Sequence, residues 1–197
     1  MHSKFSLKNL IKLNKRSLFS NFYQKYLIFS KKEIIFKLIF FIIFAIPFII
    51  DKVLKSLIYN NLKEGDFKNI ISKLFSFNYK KNSGIAGGFL SNNNLLELII
   101  GITFVILVML FLIFLTSKNT TISIGCLLVF VGGLDNLSDR LSYKCVVDYI
   151  VLVNSNFSCN IGDGLIFGGI FALLGWSFCY FFVPEVKKIN VEPTKIL

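Results

Sequence analysis

The chain has 197 residues, of which 54% are hydrophobic and 17% charged, with a formal net charge of +11. An ordinary soluble domain carries about a quarter charged residues, so this composition excludes one and points to a single compact membrane domain. Much of the positive excess lies in the N-terminal third, with no zinc-finger or RNA-binding motif beside it. It reads as membrane topology, and nucleic acid is not an expected partner.

Residues 1–33 are basic with interleaved Leu, Ile, Phe and Tyr. They form an N-terminal extension, either an interfacial helix on anionic lipid or a mobile tail. The basic region is too long for a cleaved signal peptide, and no small-residue cleavage site follows the apolar run. A membrane domain is expected over residues 34–183. Its first span, 34–50, is apolar apart from Lys37, which is expected to snorkel to the interface. In the following segment, Phe75-Ser76-Phe77-Asn78-Tyr79 alternates like a half-buried strand, and Asn82-Ser83-Gly84 supplies a turn.

The second span, 98–117, lies between Glu97 and Lys118, and the fourth, 164–183, between Asp163 and Glu185. The third, 121–134, ends in Gly132-Gly133 and falls short of the roughly 20 residues that a hydrocarbon core requires. Residues 184–197 form a tail. With four spans, the basic N-terminus, Lys118 and the tail lysines share one side, which the positive-inside rule makes cytoplasmic. Residues 51–94 and 135–163 then face outward, although the first of these is itself lysine-rich.

Polar residues gather at the outer ends of the spans: Asp51, Asn82, Asn136, Asp139, Arg140, Asp148, Asn160 and Asp163. Ionisable groups there mark a site unless they cap and solvate helix ends, and Asp163 alone reads as an N-cap. Two carboxylates brought close enough to share a proton support peptide hydrolysis. The ionised acid takes a proton from water and the protonated one hydrogen-bonds the scissile carbonyl. Such chemistry needs no cofactor. Cys126, Cys145, Cys159 and Cys179 lack metal-ligand spacing and His2 is the only histidine, so no metal site is expected. Cys126 and Cys179 fall in apolar runs as packing residues, while Cys145 and Cys159 share one loop.

The stretch Gly132 to Tyr149, "GGLDNLSDRLSYKCVVDY", resembles the lipoprotein signal peptidase (signal peptidase II) pattern of Gly-Gly, Asn-x-x-Asp-Arg and Val-Val-Asp-Phe. "NIGDG" (160–164) is similar to that family's Asn-x-Ala-Asp-Ser, "DKVLK" (51–55) to its Asp-Gln-x-Thr-Lys, and "KNSGIAGGF" (81–89) to its Arg-Asn-Thr-Gly-Ala-Ala-Phe-Gly. Four motifs occur in the family's order. The resemblance implies an all-α membrane protein, a four-transmembrane-helix bundle with a small extracytoplasmic β-platform within residues 51–94. It implies that Asp148 and Asp163 are the catalytic aspartates. Asp51, Asn82, Asn136, Asp139, Arg140 and Asn160 match its supporting or substrate-binding residues. Asp139 is the rival for a catalytic role, placed second because adjacent Arg140 suggests a structural ion pair.

The implied function is removal of signal peptides from lipid-modified bacterial prolipoproteins, cut before the diacylglyceryl-cysteine. The implied setting is the bacterial plasma membrane, with membrane lipid as a partner, no cofactor and a monomer expected. The chain departs from the family at Cys159 for Phe, Gly162 for Ala, Gly164 for Ser or Thr, Gly87 for Phe, and near Lys144 for Gly. These departures keep open a family member that binds precursors without cutting them. A non-enzymatic membrane protein that binds ions or a partner subunit is the other reading.

Overall fold

The computed structural model describes residues 29–65, 67–68, 75–83, 95–152 and 157–183. Most of the N-terminal extension, the second motif beyond Ser83, the link 153–156 and the tail 184–197 lie outside the described residues. Among the described residues, four helices are long and apolar enough to cross a membrane: α1 (Lys31–Asn61), α2 (Leu96–Thr116), α3 (Thr120–Tyr143) and α4 (Ile161–Phe182). Strands β1 (Phe67–Lys68), β2 (Phe75–Asn82), β3 (Val146–Leu152) and β4 (Ser158–Cys159) form one antiparallel sheet in the order β1-β2-β3-β4. The sheet joins the C-terminal end of α3 to the start of α4, so it stands at one end of the bundle.

α1 and α3 run well past the apolar stretches of their sequences. α1 continues for ten residues beyond Asp51, and α3 carries Asp135, Asn136, Asp139 and Arg140 within its last turns. These polar groups do not end the helices because they meet one another inside the bundle. The platform likewise draws on both connecting segments: residues 51–61 are helical, and the sheet takes β1 and β2 from the first segment and β3 and β4 from the second. The stretch holding Asp148, read as a loop from sequence, is strand β3.

Helix ends follow local chemistry. Ser30 and Glu33 form a reciprocal capping box at the start of α1, and the Asn119 side chain accepts from the Ile122 amide at 3.0 Å to start α3. α3 ends on Lys144, whose φ of 62° lies in the left-handed region. Glycine adopts that conformation freely and lysine at some cost. The resembling family carries a glycine near this position. Lys37 donates to the carbonyls of Phe114, Leu115 and Ser117 at 2.6, 2.6 and 2.9 Å. A cation expected only to reach the interface thereby satisfies the carbonyl end of α2.

Two apolar clusters hold the architecture. Cys126, Leu127, Val131 and Phe114 are buried between α2 and α3, with Phe40, Phe44 and Phe48 of α1 against them. Ile58, Tyr79, Val147 and Tyr149 dock the sheet onto the extended end of α1. Ile42, Phe104, Met109, Phe171 and Phe178 stay exposed on the bundle surface, as lipid-facing residues must.

α3 and α4 approach closely at two glycine pairs, Gly132 with Gly162 and Gly125 with Gly169. A Cβ on Gly132 would overlap the Gly162 carbonyl and lie 3.1 Å from the Ile166 amide nitrogen. Small residues let helix backbones pack directly where lipid supplies no hydrophobic drive. Because the obstructing atoms are backbone, Gly132→Ala should destabilise the fold by about 1–3 kcal/mol. Thermal unfolding in detergent checks this, and an unchanged midpoint would show that the seam can open without loss.

Candidate active site

The helix ends and the sheet bring the predicted polar residues into one connected network. Asp148, on β3, is fully buried. Its Oδ1 accepts from Asn160 Nδ2 at 2.9 Å, and its Oδ2 accepts from Ser158 Oγ at 2.9 Å and Asn82 Nδ2 at 3.2 Å. Burial raises its carboxyl above the ordinary carboxylate range, although these three donors act to lower it. Strand alternation separates it from Val147 and Tyr149, which face the apolar cluster beneath the sheet.

Asp163 is the third residue of α4, and the N-cap is Asn160. The Asp163 amide donates to Asn160 Oδ1 at 2.9 Å, and the Asn160 amide donates to Asp163 Oδ2 at 3.2 Å. Asp163 therefore closes a capping box and does not itself cap the helix. Its Oδ1 accepts from Asn136 Nδ2 at 2.7 Å. Asn160 Nδ2 also donates to Asn136 Oδ1 at 3.2 Å. The two acids are thus linked by a pair of side-chain amides, with Asn160 contacting both.

Asp51 and Asp139 lie one layer deeper. Lys55 Nζ bonds Asp135 Oδ2, lies 2.9 Å from Asp139 Oδ2 and 3.2 Å from Asp51 Oδ2, and donates to Asn136 Oδ1 at 3.2 Å. Lys52 Nζ bonds Asp139 Oδ1 and lies 3.3 Å from Asp135 Oδ1. Asp51 accepts from the Tyr149 hydroxyl and from the Gly162 amide, the latter at 2.9 Å. Burial and the Asp51 carboxylate raise the Tyr149 phenol above its ordinary value.

The ion pair suggested by the adjacency of Asp139 and Arg140 is replaced by bonds from Asp139 to the two lysines of α1. Neighbours on a helix point about 100° apart, so the adjacency was misleading. Arg140 instead lines the cavity described below. Lys52, Lys55, Asp135, Tyr149 and Ser158 were not singled out from sequence. The spacing of Asp51 with Lys55, and of Asp135 with Asp139, places each pair on one helix face and was available as a signal.

A cavity of about 590 Å³ opens beside this network. Leu98, Ile99 and Ile102 of α2 form one wall, and Ile166, Phe167 and Ile170 of α4 form another. Asn82, Asn136, Arg140, Ser158 and Asp163 make its polar floor. Asp148 lies behind that floor, reached through Asn82, Ser158 and Asn160. Cys159 also lines the cavity, and burial pushes its thiol to about 11, helped by Asp163 and Asp148. At neutral pH it is a protonated lining group and no nucleophile. Cys145 and Cys159 are both free thiols.

Four helices apolar enough to cross a membrane, with buried carboxylates and amides set beside a largely apolar cavity, define a polytopic membrane protein. A family model described as signal peptidase (SPase) II matches residues 42–179. A lipoprotein signal peptidase of Lactobacillus johnsonii is 35% identical over 133 residues, 67% of this chain and 86% of that protein. One from Clostridium novyi is 33% identical over 136 residues, 67% of this chain and 90% of that protein. A solved bacterial membrane enzyme superposes with a TM-score of 0.66 at 23% identity, covering 82% of this chain and 94% of the other. The chain belongs to the signal peptidase II family, and it is a membrane peptidase.

The buried cluster generates a stability prediction. Lys55→Met removes the ammonium that three carboxylates share. Breaking a buried ion pair from one side costs about 3–5 kcal/mol. The variant should unfold at markedly lower temperature in detergent; a parent-like midpoint would mean that these carboxylates do not depend on Lys55.

Proposed function

We propose that the chain is an aspartyl endopeptidase that removes signal peptides from lipid-modified prolipoproteins in a bacterial plasma membrane, cutting before the diacylglyceryl-cysteine. The observation that carries this reading is the cavity, whose apolar walls lead to a floor containing Asp163, with Asp148 one amide behind it. An apolar signal segment fits such walls, and its scissile bond then meets the acids. In this reading the pair holds one proton. The ionised member takes a proton from water, and the protonated member hydrogen-bonds the carbonyl. Asn136 and Asn160 orient the carboxylates, while Asn82 and Arg140 hold substrate backbone. Asp51 and Asp139 support the fold beneath.

Asp148→Asn and Asp163→Asn preserve shape but remove, in this reading, the proton that one acid holds and the base that the other supplies. Each should abolish release of the signal peptide from a lipid-modified precursor, and the double variant should cost little more, since the two act as one unit. Asp139→Asn should lose folded protein before it loses chemistry. Cleavage by Asp148→Asn alongside a well-folded, inactive Asp139→Asn would reassign the pair. Because the Asp148 carboxyl is raised, the protonated member persists to higher pH. The limb on which turnover falls with rising pH should therefore lie above the ordinary carboxylate range.

The same reading sets both termini on the cytoplasmic side and the acids near the extracytoplasmic face, supported by the basic flanks and the four spans. Reporters fused after Leu197 and inserted within residues 84–94 should report opposite sides of the membrane. The same side for both would overturn this orientation.

A further inference from the structure

We propose that Asp135 is a positioning residue for the carboxylate of Asp163, acting through Lys55 and Asn136, and that Gly162 provides the space this third acid occupies. The proposal rests on the peptidase reading above.

Charge balance makes Asp135 stand out. The cluster contains two ammoniums, Lys52 and Lys55, and three fully buried carboxylates, Asp51, Asp135 and Asp139. Two of the acids tie the cluster to the sheet. Asp51 joins α1 to Tyr149 of β3 and to Gly162 of α4. Asp139 joins α3 to the Val147 amide of β3, at 3.4 Å, and to both lysines. Those two suffice to balance the lysines. Asp135 is a third carboxyl, packed against Asp51 and both lysines, and its buried Oδ1 accepts no hydrogen bond among the described residues, with Lys52 Nζ 3.3 Å away as its ionic neighbour. A third carboxyl beside two others is more than the two lysines require, which asks for a role besides holding the fold.

That role follows from what Lys55 touches. Asp135 Oδ2 accepts from Lys55 Nζ, which also donates to Asn136 Oδ1 at 3.2 Å. Asn136 Oδ1 accepts a second bond from Asn160 Nδ2 at 3.2 Å. With its oxygen facing two donors, the Asn136 amide has one favourable orientation, and its Nδ2 then points at Asp163 Oδ1, 2.7 Å away. Turned by half a rotation, the amide would set oxygen against the Asp163 carboxylate and NH₂ against an ammonium. Lys55 and Asn160 together therefore set which face of Asn136 meets the acid, and Asp135 is one of the carboxylates that hold Lys55 in position.

Gly162 belongs to the same device. A Cβ there would lie 2.9 Å from Asp135 Oδ2 and 3.0 Å from Asn160 Oδ1. The resembling family carries alanine at this position. In this chain a methyl group would press on the oxygen that holds Lys55.

The test uses the full chain purified in detergent, a lipid-modified precursor peptide, separate kcat and KM, and unfolding temperature. Asp135→Asn keeps the size of the side chain and removes its charge. We expect kcat to fall roughly 10- to 100-fold, the scale of a displaced supporting group, with KM unchanged and unfolding temperature held or raised. Gly162→Ala should lose kcat similarly and also unfold at lower temperature. Asp135→Ala combined with Gly162→Ala should recover unfolding temperature relative to Gly162→Ala while kcat stays low. The proposal is overturned by parent-like kcat in folded Asp135→Asn, by a kcat loss matched by an equal loss of folded protein, or by turnover restored in the double variant. A parent that releases no signal peptide, or a fully active Asp163→Asn, overturns the peptidase reading itself.

Discussion

One ammonium group, that of Lys55, sits where α1, α3 and the base of the site converge. A charge removed from water is tolerated only when its partners are complete, and Lys55 draws those partners from α1 itself and from the last turns of α3. Sliding α1 against α3 by one helical turn would strand the ammonium among apolar side chains. The cluster therefore fixes helix register in a setting where lipid-facing surfaces impose little register of their own. It also explains why both helices continue past their apolar stretches: the polar turns are internal to the protein.

From that anchor the site is built outward in two layers. Asp51 carries the constraint to β3 and the first turn of α4 through Tyr149 and the Gly162 amide. The next layer is made of amides. Asn160 starts α4, bonds Asp148 and bonds Asn136, so the start of a membrane helix and the spacing of the two acids are set by one side chain. Placing one acid on a strand and the other on a helix end gives each a stiff support. The glycine seam beneath keeps α3, which carries Asn136, close to α4, which carries Asp163.

The sequence made the spans visible as gaps between charges, and the four motifs named the amide and carboxylate residues that the structure draws together. Other features were hidden for physical reasons. The β3 stretch, Val146 to Leu152, is a short apolar run whose strand character depends on pairing with β2, more than sixty positions earlier, and no local signal reports such a partner. Lys52 and Lys55 looked like loop charge because the first apolar run stops at Asp51, although α1 does not. Asp139 and Arg140 are adjacent in the chain and diverge on the helix. Gly162 and Lys144 read as departures from a pattern. The structure supplies a reason for Gly162 in the acid beside it and shows Lys144 accepting a backbone conformation that glycine would adopt more easily.

The placement of α2 and α4 on either side of α3 has a dimensional consequence. Packed helices sit about 8–10 Å apart, axis to axis. Two helices flanking a third therefore leave a trough of roughly one helix diameter along its exposed side. An apolar helix entering from the bilayer would exchange lipid tails for side chains of nearly equal polarity, so little is gained from leaving the lipid. Selection along the walls then rests on shape, on how well ridges fill the trough, and the chemical identity of a guest is read only at the polar end.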